Sequence, residues 1–162
     1  MKNIFFVVLL TVIISLIAVS LSTELPPKES FQIPEAKGHV NDYAEIINQE
    51  KEAILETDLR LYKPEIVILT VKNLNGLSIE EYSIKVAEAW KVGNIDKDDG
   101  IILLISSEDR KVRIEVGYGS EAKINDAKAG RILDENVIPH FKNGDWESGI
   151  LEGVTNIKEA LK

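Results

Sequence analysis

Apolar positions in this chain follow distinct patterns, and each pattern predicts a different kind of element. From Ile4 to Leu21 the sequence IFFVVLLTVIISLIAVSL carries no charge. With Lys2 before it, this run has the basic start and apolar middle of an export leader, and also the length of a minimal membrane span. After Gly38 the pattern changes to short continuous runs separated by helically spaced positions. Glu65 to Val71 (EIVILTV) and Ile101 to Ile105 (IILLI) are apolar on both faces, as central strands of a parallel sheet are. Between them Ser78, with Glu81 three residues on, forms a capping box. Ile79, Tyr82, Val86, Ala89 and Trp90 then share one helical face before Gly93. Strand, helix and strand together predict a βαβ unit.

Helical spacing recurs on either side of that unit. Asn48 is placed to cap a helix with Ile47, Ile54 and Leu61 spaced by seven, ending before Pro64. Asp126 is placed to cap a helix that turns Ala129, Ile132, Leu133 and Val137 inward until Pro139. Asp145 begins a last one with Ile150, Val154, Ile157 and Leu161. Val112, Ile114 and Val116 alternate with Arg113 and Glu115, the period of a strand with one more polar face that returns as a hairpin after residues 106–111. The expected fold class is α/β: a three-layer α/β/α sandwich with a small mixed sheet, built from the βαβ unit plus the antiparallel hairpin and preceded by an N-terminal apolar helix. Residues 1–22 are read as signal peptide or membrane anchor. Residues 23–37, with Pro26, Pro27 and Pro34, are read as a linker, and residues 38–162 as one domain.

Charge and composition narrow the function. Ala18 and Ser20 offer an A-x-S cleavage site; uncleaved, the same run is an anchor that leaves the N-terminus inside. Either way the domain is expected to be extracytoplasmic, secreted or held at a membrane by its N-terminal segment. The chain has 27 acidic against 19 basic residues. Such a charge repels phosphate backbones, so no nucleic-acid partner is expected. With no cysteine, disulfides, zinc–thiolate sites and thiol nucleophiles are all excluded.

Familiar catalytic motifs fail on inspection. Gly117-Tyr-Gly119-Ser-Glu-Ala122 imitates a dinucleotide loop, but Glu115 and Glu121 flank it, and a tight turn explains the glycines. Asn94, Asp96 and Asp98 match the first ligand positions of an EF-hand, which then lacks its glycine at Asp99 and its glutamate at Ile105. Asp96 and Asp98 also resemble the paired aspartates of aspartyl-phosphate enzymes, yet they precede a strand where those follow one. His39 and His140 stand apart in unpatterned polar surroundings and are read as surface residues. Carboxylates at element ends remain: Asp42, Asp98, Asp99, Glu115 and Asp126. Crowded on one rim, they would favour a hard cation, Ca²⁺ or Mg²⁺. The alternative is that Asp42 and Asp126 cap helices, Asp98 and Asp99 occupy a turn, and Glu115 is an exposed strand residue.

An ordered set of short motifs then carries a resemblance. It starts with Gly38-His-Val-Asn-Asp42-Tyr-Ala44, Asn75-Gly76-Leu-Ser78 with Glu81-Tyr82, and Trp90-Lys-Val-Gly93. It continues with Lys97-Asp98-Asp99-Gly100, Asp109-Arg110-Lys-Val-Arg-Ile-Glu115-Val-Gly117-Tyr-Gly119 and Asn125-Asp126, and closes with Pro139-His-Phe141, Gly144-Asp145 and Gly149-Ile150. From Gly38 to Leu161 the chain resembles the TPM domain family, found in exported or membrane-anchored bacterial proteins and in thylakoid-lumen proteins linked to photosystem II repair. The resemblance implies an α/β/α sandwich and a divalent-cation site on the aspartates matching Asp42, Asp98 and Asp126. It implies one of two functions: an accessory module that binds membrane or exported proteins, or a weak metal-dependent acid phosphatase. In the second, Asp42 would orient the attacking water and Arg113 or Arg110 would hold the phosphate. Asp99 departs from the asparagine usual in the family, and the first helix looks shorter than usual.

Overall fold

The computed structural model describes residues 32–162. The apolar run and most of the proline-containing linker, with the leader, anchor and N-terminal helix expected of them, lie outside the described residues. One compact unit runs from Ile33 to Lys162. Among the described residues, no helix is long and apolar enough to cross a membrane.

The unit is an α/β fold on a four-stranded mixed sheet in the order β1 (Val40–Asp42), β2 (Ile66–Val71), β3 (Ile101–Ser106) and β4 (Lys111–Val116). The first three strands are parallel, and β4 returns antiparallel to β3 in the register Leu103 opposite Ile114. Every residue of β2 and β3 is buried. That double-sided burial explains their unbroken apolar runs. β1 was not expected as a strand because it holds three residues, two of them polar. Tertiary pairing makes it one: Asn41 is buried, accepts from the Lys37 N–H and donates to the carbonyls of Gly38 and Ile68.

Helices cover both faces. On one face Ile66, Ile68, Ile101, Leu103, Ile105 and Ile114 meet Leu55 and Leu59 of α1 (Gln49–Arg60). They also meet Ile150, Val154 and Ile157 of α5 (Trp146–Ala160). By strand alternation Val67, Leu69, Ile102 and Leu104 point to the other face, where α2 (Ile79–Trp90) buries Ile79, Tyr82 and Val86. The capping box at Ser78 is formed as expected.

Three expectations about helices need correction. In α1 the inward residues after Ile47 are Leu55 and Leu59, four apart; Ile54 and Leu61 face solvent. A spacing of seven selected one apolar stripe where two were available, and the i, i+4 pair is the one that meets the sheet. In α2, Ala89 is exposed, while Trp90 is half-buried and donates its indole N–H to Pro34 O. The third helical segment starts one residue earlier than read, with Asn125 as cap and Asp126 inside the first turn. That segment does not stop at Pro139 but continues as α3 (Asp126–Ile132), a π-type turn (Leu133–Val137) and α4 (Ile138–Lys142). Proline lacks the N–H that would bond the carbonyl four residues back and its ring crowds that carbonyl; widening the turn just before it relieves both. The end of the linker is also docked on the domain: Tyr43 donates its hydroxyl to Glu35 O, and the Lys37 ammonium lies 4.5 Å from the centre of the Tyr43 ring.

Candidate functional site

β3 is entered through the loop at residues 91–100, and β4 leaves at the same end through Gly117 to a 3₁₀ turn, Tyr118–Ser120. The two segments touch backbone to backbone. A Cβ on Gly117 would lie 2.3 Å from Asp98 O, and one on Gly119 2.1 Å from Lys97 O. The glycines therefore clamp the acidic loop, which explains the G-x-G pattern without a nucleotide. Asp98 sits in the left-handed region at φ 47°, and its Oδ2 accepts the Tyr118 N–H at 3.3 Å.

Between this clamp and the C-terminal half of α2 lies an open groove of about 440 Å³. Asp98, Glu88, Glu115 and Glu121 supply its carboxylates. Ile84, Ile95 and Tyr118 supply its apolar surface, and they are 47, 80 and 79% exposed. A smaller hollow adjoins it, walled again by Glu115 and Glu121 and holding Asp126 at its far side. The two glutamates thus link Asp98 to Asp126.

The five carboxylates expected on one rim are not gathered there. Asp98, Glu115 and Asp126 belong to the linked hollows. Asp99 turns into a different hollow beside Pro64 and Glu65 and accepts the Asn94 N–H at 2.9 Å. Asp42 ends β1 at the other edge of the sheet, with β2 and β3 between it and β4. Three strand spacings place it about 14 Å away. Its carboxylate accepts the N–H groups of Ile46 and Ile47 and the hydroxyl of Thr70, so it fastens the loop after β1 and caps no helix, Asn48 being the cap of α1.

Glu115 is not the exposed residue of that alternative. Its Oε2 accepts from Ser83 Oγ at 2.6 Å and Arg113 Nε at 2.7 Å, and its side chain is 19% exposed. Arg113 also donates to Ser83 Oγ at 3.1 Å. Arg113 is therefore committed within the protein, and Arg110 stands in the hairpin turn at the opposite end of β4. Among the described residues, no three of His, Asp and Glu approach closely enough to hold a metal ion. As its side chains stand, the set does not fit a single cation.

Each histidine lies beside a carboxylate. His39 Nδ1 lies 3.1 Å from Glu56 Oε1 and its Nε2 3.7 Å from Glu65 Oε1, with the ring mostly covered. His140 lies 3.8 Å from Asp145. Neither lines the acidic groove. Burial alone would raise the Glu56 carboxyl, but the Val40 N–H and the His39 ring outweigh it and hold the carboxyl below its ordinary value. Sequence reasoning missed Glu121 as a site residue; its signal was an acidic position directly after a glycine-bounded turn. Tyr118 and Ile95 were missed because exposure of a large apolar residue cannot be read from its type.

Comparison with known proteins agrees with the fold. No curated protein matches the chain. The N-terminal domain of a P. gingivalis protein, solved by solution NMR, is 29% identical over 75% of this chain and 80% of its own, with a TM-score of 0.69. Two further NMR structures share the fold. The N-terminal domain of a Corynebacterium glutamicum protein has a TM-score of 0.59 at 13% identity, covering 82% of this chain and 88% of its own. The BA42 protein of the psychrophilic bacterium Bizionia argentinensis has 0.63 at 19%, covering 72 and 82%. The family model described as TPM domain matches residues 40–160, nearly the whole compact unit, and the chain accordingly belongs to the TPM domain family.

Proposed function

We propose that this TPM-domain chain is an exported or membrane-anchored accessory module that binds membrane or exported proteins. One observation carries the reading: Ile84, Ile95 and Tyr118 are concentrated in the acidic groove, three of the six exposed large apolar side chains among the described residues. A patch of that kind rimmed by charge is the mark of a protein-binding surface. Its carboxylates select a partner with basic groups around an apolar contact. The uncharged run Ile4 to Leu21 supports export or anchoring, and Pro26 and Pro27 after it are in keeping with a tether.

A second reading, a weak metal-dependent acid phosphatase using Ca²⁺ or Mg²⁺, is favoured by Glu115 and Glu121 joining the hollows of Asp98 and Asp126. It requires side chains to leave their present partners. Asp98→Asn separates the two readings, because asparagine tolerates the left-handed backbone at that position. The full chain is assayed with p-nitrophenyl phosphate, with and without chelator. Hydrolysis that is absent, or unchanged by the substitution, fits the binding module. Metal-dependent turnover that disappears in Asp98→Asn would replace the binding reading with the enzymatic one.

A further inference from the structure

The helices α2 and α5 cover opposite faces of the sheet, and beside the start of β4 the two layers part. Ile79, the first residue of α2, stands on one side of the gap, and α4 with the first residue of α5 stands on the other. Between them lies a cleft of about 770 Å³, at the opposite end of β4 from the acidic groove. Its apolar surface includes Val112, Phe141 and Trp146, all half-buried. The two rings are 4.7 Å apart between centroids, with their planes tilted by 46°.

The charged side chains of this cleft are Arg110, Lys111 and Lys142, all exposed, and no carboxylate lines it. None of the three forms an ion pair among the described residues, in a chain of net charge −8. The acids next in sequence to Arg110 and Trp146 are engaged elsewhere. Asp109 accepts the Ser106 hydroxyl and the Leu74 N–H, Asp145 accepts the Ser148 N–H, and Glu147 accepts from the main chain and side chain of Asn48. Acids farther off are screened over about 8–10 Å of salt solution, whereas cations around one apolar hollow reinforce each other's field. The cleft is thus a local positive site on an acidic protein.

Shape and charge together select the occupant. A flat lipid surface does not reach rings recessed between two helices, and a bare inorganic anion leaves those rings uncovered. A hollow of this volume has the size of small-molecule sites, which combine apolar walls with a few convergent polar groups. We infer that the cleft binds a small aromatic carboxylate. Its ring lies against Phe141 and Trp146, whose mutual tilt offers it both a face and an edge. Its carboxylate meets Arg110, which is able to hold it by two parallel hydrogen bonds, with Lys111 and Lys142 adding charge. This site goes beyond the acidic-groove reading and shares no residue with that groove.

Isothermal titration of the full chain with naphthalene-2-carboxylate, and in parallel with the neutral naphthalene-2-carboxamide, tests the site. The acid is expected to bind saturably and the amide about tenfold or more weakly, because only the acid gains from the three cations. Lys111→Glu/Lys142→Glu should weaken the acid by about the same factor and leave the amide unchanged. Both substituted positions are exposed, and an unchanged melting temperature shows that the variant folds; the comparison of acid with amide needs no variant. In proton NMR spectra the indole N–H of Trp146 should shift with the acid, while that of Trp90, bonded to Pro34 O, should stay in place. Absence of saturable binding, equal affinity for acid and amide, an acid indifferent to the double variant, or an unmoved Trp146 indole would each overturn the proposal. So would inorganic phosphate binding as tightly as the acid, which would make the cleft a site for anions without an apolar body.

Discussion

Arg113, Glu115 and Ser83 show how a residue's partners decide what it does. Glu115 and Arg113 are two apart on one strand and share its more polar face, and α2 lays Ser83 against both. Read from sequence, Glu115 offered a cation ligand and Arg113 a phosphate clamp; neither reading included the helix that joins them. Removing the carboxylate with Glu115→Ala leaves a half-buried guanidinium and a buried hydroxyl short of a partner, and should cost about 1–3 kcal/mol of stability by chemical denaturation. The same logic gives a pH dependence. Burial would raise the Glu56 carboxyl, yet the Val40 N–H and His39 prevail and lower it; Asp109 is lowered by the Ser106 hydroxyl and the Leu74 N–H. A carboxyl lowered on folding contributes stability above its unfolded value, and that contribution is lost as pH falls through the folded one. Melting temperature should therefore decline as pH drops below about 4.5, and Glu56→Gln should flatten part of the decline.

Elements were legible where local signals agreed with tertiary packing. β2, β3, α2 and α5 were readable because continuous apolar runs and a capping box state the same answer as the core. β1 was not, since its strand character comes from pairing with β2, and the inward stripe of α1 was not, since two stripes competed. The clamp around the acidic loop was legible only as a pair of glycines; what they approach is set by the register of β4 on β3. Gly119→Ala would drive a methyl to 2.1 Å from Lys97 O and should destabilise by about 1–3 kcal/mol. Gly130→Ala is the contrast: it lies within α3 with nothing inside 4 Å of the added carbon, and should stabilise by about 0.5–1 kcal/mol. Denaturant midpoints of the two variants check both signs.

Across the whole molecule, the sheet decides which candidates can act together. Asp42 and Asp98 are both acidic residues next to strands, but parallel β1 ends where β3 has nearly finished, whereas Asp98 precedes β3. Sequence showed that the carboxylates lie at element ends, not which end of the sheet each end occupies. What the fold leaves outward is a surface with two characters: an acidic groove set with exposed isoleucines and a tyrosine, and a basic aromatic cleft beside the start of β4. Such a surface suits recognition, and recognition is the central claim. Replacing Tyr118 with a photo-crosslinking phenylalanine in the full chain, inside cells, tests it most directly. The account predicts a discrete adduct with a membrane or exported protein that disappears when Ile95→Asp is added to the same groove; no adduct, or a pattern indifferent to Ile95→Asp, would contradict it.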